Sequence, residues 1–124
     1  MDEAELVATL KAALFPVPVH WGFAPFEAVE VPPALPIVVV QRLTYSTGGY
    51  EDMCTDAAYV GDTILVIDAW HLGYEDARTL AAAVRAGVAM AEGWRLQSET
   101  DLYEVNFHAW RIQGQWLAAG VPPL

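Results

Sequence analysis

Apolar positions along the chain alternate between a helical and a strand period, and the order of those changes predicts the fold. Leu6, Val7, Leu10, Ala13 and Leu14 recur at the spacing of one helix face, and Pro16 ends the pattern. Asp2, Glu3 and Glu5 sit in the first turn, where they complement the helix dipole, so a helix is expected over residues 3–14. From Pro16 to Pro36 the chain carries six prolines, which cannot donate to a sheet ladder. An extended, surface-hugging connection is expected there, with Val19, His20 and Trp21 as a short edge strand.

Ile37 to Tyr45 is β-branched and so rich in Val near its start that it reads as a strand covered on both faces, turning polar at Gln41 and Arg42. Tyr59 to His71, centred on Ile64, Leu65, Val66 and Ile67, reads as its hairpin partner. Residues 46–58 between them form a connection longer than usual, expected to protrude. Ala77, Leu80, Ala81, Val84, Val88 and Ala91 make one face of a second helix over residues 74–91, with Arg78, Thr79 and Arg85 opposite. Gly93 stops it, and Trp94 to Tyr103 followed by Val105 to Gln115 predicts a second hairpin turning at Asp101 to Glu104. An apolar tail, 116–124, ends in Pro122, Pro123 and Leu124. The sum is an α+β fold in one domain, 1–124: a mainly antiparallel sheet of four to five strands with two helices packed on one face, in the order α-β-β-α-β-β.

Composition narrows the function classes. A chain of 124 residues supports one ordinary core. Hydrophobic residues make up 55 %, with five Trp and five Tyr, which favours burial of some side chains outside the monomer, in an oligomer or on a partner. Sixteen acidic against six basic side chains give a formal charge of −10, which repels phosphate backbones and anionic lipid, so neither nucleic acid nor membrane is an expected partner. A partner with basic surface is the complement. Cys54 is the only cysteine and excludes an intrachain disulfide or a thiolate metal cluster. The acidic N-terminus has no signal-peptide pattern and no apolar run approaches a membrane span, so the chain reads as soluble and cytosolic when made.

Chemistry is sparse. His20, His71 and His108 share no metal-ligand spacing and read as structural or surface residues, although His71 and His108 would meet on neighbouring strands. Asp68 interrupts an apolar strand, which fits a perturbed acid or base. The plainer alternatives are an ion pair with Arg111 or Arg42, or a place near the exposed end of its strand. Cys54 lacks an orienting base and reads as a solvent-facing loop thiol; Gly48-Gly49 lacks the lysine of a phosphate loop and reads as a turn. No catalytic, metal or cofactor site is assigned. Two contact surfaces are weighed against a solvated loop and a tail folded onto its own sheet: Tyr50, Glu51, Asp52, Met53 and Asp56 in the long loop, and Trp116, Leu117, Val121 and Leu124 in the tail.

The string Ile64-Leu-Val-Ile-Asp-Ala-Trp-His, followed by Gly73-Tyr-Glu-Asp-Ala-Arg and the helix Leu80-Ala-Ala-Ala-Val-Arg, resembles the tail-terminator or tail-completion proteins of long-tailed bacteriophages. The N-terminal helix ending at Leu14-Phe15 and the strand entered through Pro33 to Pro36 match that layout. The resemblance implies a ring-forming subunit, commonly a hexamer, at the head-proximal end of the virion tail, made in the host cytoplasm. Its implied partners are copies of itself, the tail-tube protein and the head connector, with no cofactor. The long Pro-rich segment and the apolar tail depart from many members. A competing class is a small-molecule enzyme or binding domain, with Trp70, Trp94 and Trp110 lining a pocket and Asp68 or His108 as acid or base. A third is an adaptor or inhibitor unrelated to phage.

Overall fold

A computed structural model describes residues 3–22, 35–46, 62–91 and 93–118. The helix expected at the start is α1, Glu3–Leu14, followed by β1, Val19–Trp21, and β2, Ile37–Ser46. Next come β3, Asp62–His71, and α2, Tyr74–Ala89; β4, Arg95–Glu104, a 3-10 turn at Val105–Phe107 and β5, Ala109–Ala118, complete the fold. The five strands form one sheet in the order β1-β2-β3-β5-β4. β1 runs parallel to β2 and every other pairing is antiparallel. The α+β architecture and both helices are as the residue pattern predicts, with the short β1 as the fifth strand.

Alternation along the central strands separates two faces. Leu65, Ile67 and Ala69 of β3, Val38 and Val40 of β2, and Ile112 and Trp116 of β5 point to the side covered by both helices. Leu6 and Leu10 of α1 and Ala77, Ala81, Val84 and Val88 of α2 complete that core. Ile37, Val39, Trp70 and Ala109 form a smaller cluster on the other side. The run Ile37 to Val40 is buried throughout, which is why this strand reads as a continuous apolar block.

The helices approach each other closely through a small side chain. A Cβ added at Gly87 of α2 would lie 2.9 Å from Leu10 Cδ2 of α1, so any larger residue there must shift the end of the Leu10 side chain. Gly93, at φ 98°, takes a left-handed conformation after the helix and turns the chain toward β4.

Several boundaries differ from the sequence reading. Asp101 to Glu104 belong to β4, and the hairpin turns at Val105–Phe107, closed by His108 in the left-handed region at φ 50°. Asp101 stays in the strand because its carboxylate has partners on α2, whereas Asn106 and His108 tolerate turn geometry. The tail is shorter than expected: residues 116–118 extend β5, with Trp116 opposite Leu65 and Leu117 opposite Ile64. Ala13, assigned to the buried face of the first helix, is exposed. The loop 47–58, and with it Cys54 and Gly48-Gly49, lies outside the described residues, as do positions 23–34 of the Pro-rich segment and 119–124 of the tail.

Candidate interaction surfaces

Arg78 and Arg85 lie two helical turns apart on α2 and face Glu99 and Asp101, alternate residues on one face of β4. Arg78 Nη1 donates to Glu99 Oε1 at 2.9 Å and to Asp101 Oδ1 at 3.0 Å. Arg85 Nη1 donates to both oxygens of Glu99, at 2.8 and 2.7 Å. The Tyr74 hydroxyl donates to Asp101 Oδ2 at 2.7 Å, a bond that holds the phenol above its ordinary range. The same ring meets Trp110 edge-on at 4.8 Å, and Tyr103 meets Trp110 at 5.2 Å. This strap ties the outermost strand to the helix layer and accounts for the charged side of α2.

The opposite face of the sheet has a polar centre. Asp68 is 2 % exposed, and cross-strand register sets it beside Gln113. Arg111 Nη1 stands 3.9 Å from Asp68 Oδ2, while its Nη2 binds Glu104 Oε2 at 2.7 Å. The Arg111 guanidinium also lies over the Trp70 ring, 5.2 Å from its centroid, and Trp70 meets Phe107 edge-on at 5.9 Å. Burial pushes the Asp68 carboxyl up from 3.8 to about 6, against the opposing pull of Arg111 and a hydrogen bond with Gln113. Asp68 Oδ1 has no hydrogen-bond partner among the described residues.

A third surface is a groove of about 310 Å³ at the end of the sheet where β2 begins and β3 finishes. Leu14 and Val17 below α1, Pro36 before β2 and Leu80 and Ala83 of α2 give it apolar walls, with Asp76 at its side. Phe15 and Leu72, each next in sequence to a residue of the groove wall, are 83 % and 62 % exposed. Large apolar side chains left open beside an apolar depression mark a contact surface.

The expected ion pair of Asp68 with Arg111 is present, and Glu104 joins it. Arg111 stands between the two carboxylates as a charge bridge, and the groove walled by Leu14, Val17 and Leu80 has neither Asp68 nor His108 in its lining. His71 points away from Asp68 and accepts the Leu72 N–H at 2.9 Å on Nδ1. Among the described residues, no group of three or more His, Cys, Asp or Glu is placed to hold a metal, and no helix is long and apolar enough to cross a membrane.

The three tryptophans suggested for a pocket are dispersed. Trp70 lies on the outer face of the sheet, Trp110 beside Tyr74, and Trp94 ahead of the opposite end of β4. Trp116, read as a contact residue of the tail, is instead 6 % exposed in the monomer core, because the ring completes the cavity between β5 and the helices. Leu117 is half-buried in β5. Tyr50, Glu51, Asp52, Met53, Asp56, Val121 and Leu124 lie outside the described residues. Glu104, Phe107 and Gln113 were missed in the sequence reading, and the register of the second hairpin is the signal that would have found them.

No protein-family model matches the chain, and no curated protein matches it. Among solved structures, its fold is similar to that of a chain in the virion of a native gene transfer agent particle, with a TM-score of 0.56. The match covers 91 % of this chain and 84 % of that chain at 17 % identity, a likeness of fold.

Proposed function

We propose that the protein is a structural subunit of a phage-like virion, and that it acts as a ring-forming tail terminator. The observation that carries this reading is the fold shared with a virion chain over nearly the whole length of both. The sequence resemblance to tail-completion proteins points the same way. In this reading the subunit assembles with copies of itself into a ring, commonly a hexamer, and meets the tail-tube protein on one side and the head connector on the other. Growth of the tube stops because the far side of the ring does not repeat the surface that the tube subunit recognises. The formal charge of −10 opposes self-association in solution and favours neighbours with basic surfaces. No bond-making chemistry is required.

The test is tube assembly in vitro. Tail-tube protein polymerising with the purified chain should give tubes of limited length, with a ring at one end in electron micrographs. Tubes that grow to the same length with and without it, and carry no added density, would falsify the capping role.

A further inference from the structure

We propose that the end of the sheet carrying Phe15, Leu72, Tyr74, Tyr103 and Val105 is the docking surface for another virion protein, one that sets lysine or arginine side chains around an apolar patch. This deepens the virion reading and rests on it. Seven large apolar side chains are exposed among the described residues, and these five share one end of the fold. Of the other two, Trp21 pairs with Val40, part-way along β2, and Met90 follows the last residue of α2. Tyr74 opens that helix, whose 16 residues at about 1.5 Å each put Met90 roughly 24 Å away.

Register brings the five together. Leu72 and Tyr74 follow β3, Tyr103 and Val105 flank the last residue of β4, and Phe15 follows α1. His71, which ends β3, lies opposite Trp110 of β5, and Trp110 lies opposite Tyr103 of β4. The Trp110 ring meets both Tyr74 and Tyr103 edge-on, so the aromatic side chains form one row. His71 also lines the groove walled by Leu14, Val17 and Leu80, which carries the surface from that row to Phe15. Single exposed apolar residues are ordinary, whereas several together, with aromatic rings and an adjoining depression, have the composition of a contact surface.

Charge decides between occupants. Glu75 and Asp76 are exposed in the first turn of α2, next to Tyr74. The helix dipole favours them there, but its roughly half unit of positive charge leaves most of two carboxylates uncompensated. Arg78 and Arg85 are already engaged by Glu99 and Asp101, and Arg111 by Glu104 and Asp68. Arg42 and Arg95 lie toward the other end of the sheet, opposite Leu65 and Leu117. Lys11, one turn before Phe15, is the cation left to set against the pair, and the end stays negative. A second copy seated here would bring a chain of formal charge −10 against that rim. A basic protein gains from the apolar patch and from the acidic rim together.

The probes are the purified tail-tube and head-connector proteins of the same virion, each titrated with the full-length chain by calorimetry and sedimentation. One of them should bind. Leu72→Ser with Val105→Ser, both exposed, should then raise Kd by about a hundredfold at any salt concentration. Glu75→Gln with Asp76→Asn should raise it about tenfold in dilute buffer, a difference that narrows in about 0.5 M salt. Met90→Ser, at the far end of α2, should leave it unchanged. Circular dichroism checks that each variant folds, and Phe15→Ser replaces the first pair if that pair does not. Binding that these changes leave intact, or that Met90→Ser weakens as much, overturns the docking surface and leaves the virion reading standing. So do variants that lose self-association while still binding the probe, which would assign this end to a second copy. If neither probe binds the unaltered chain, the surface and the tail-terminator reading fail together.

Discussion

On β3, Leu65, Ile67 and Ala69 face the helices and Val66, Asp68 and Trp70 face the other way, and all six are nearly inaccessible to solvent. The two sides of the sheet thus match in burial and differ in chemistry. The helix side is apolar throughout its core, whereas the outer side sets a carboxylate, a guanidinium and Gln113 among its apolar residues. Apolar packing gains from every atom removed from water, while a buried charge must recover its lost hydration from partners. Asp68 recovers it only partly, with Arg111 at 3.9 Å and one oxygen without a hydrogen bond among the described residues. The helix side therefore supplies stability, and the outer side spends some of it on a polar arrangement.

Removing atoms from the helix side should have the largest effect. Leu10 is fully buried between the helices, and Leu10→Ala should lower the unfolding free energy by about 2–5 kcal/mol, read from denaturant titration. A loss below about 1 kcal/mol would show that α1 contributes little to the core and would break the contrast.

Neutralising the outer side should act in the opposite direction. The folded-state pKa of Asp68 is about 6 against an ordinary 3.8, so between those values the native state holds more proton than the unfolded chain. Stability linked to this group is full below about pH 4, falls as pH rises, and levels off above about pH 6. The full loss is about 2–3 kcal/mol by the conversion of about 1.4 kcal/mol per pKa unit. Asp68→Asn removes that slope and leaves Arg111 its shorter bond to Glu104. The advantage of the variant over the parent should grow by this amount between pH 4 and pH 7, read from melting curves. Parallel profiles for the two proteins would show that Asp68 is not penalised in the fold.

The strap between α2 and β4 is partly solvated and should matter less. Glu99→Ala leaves Arg78 and Arg85 facing each other across two turns, at a cost of about 1 kcal/mol. Most of that cost should vanish in 1 M salt, where screening acts within about 3 Å. An effect insensitive to salt would mean that the carboxylate acts through packing.

The same contrast explains what the residues disclosed in advance. The helix side was legible because its elements bury one face each: Leu6, Leu10 and Leu14 keep helical spacing, and Ala77, Ala81, Val84 and Val88 do the same on α2. The strand run Ile37 to Val40 was legible as doubly covered. The second hairpin was misplaced because Asp101 and Glu104 resemble turn residues when read locally, yet each serves a cross-element ion pair that keeps it in β4. Val105 and Phe107 resemble strand residues but occupy the turn. The Asp68–Arg111 pairing was within reach of sequence because both lie in strands, whereas the groove was not, since Leu14, Pro36 and Leu80 meet only through tertiary packing.

The smallest expected change lies where the helices touch, and its sign is informative. In an open helix Gly87→Ala would stabilise by about 1 kcal/mol, because alanine loses less backbone entropy. Here the new methyl would sit 2.9 Å from Leu10 Cδ2 and 3.6 Å from Ala13 Cβ. The Leu10 terminus can rotate, but it is fully buried and its neighbours are close-packed, so the displacement offsets the helical gain. The net should be a destabilisation of less than about 1 kcal/mol. Leu10→Val removes the atom that is struck, so in the double variant Gly87→Ala should become favourable, a positive coupling that a double-mutant cycle measures directly. If Gly87→Ala stabilises the unaltered chain by the full helical gain, the two helices part easily, and the groove that both help to wall would be soft.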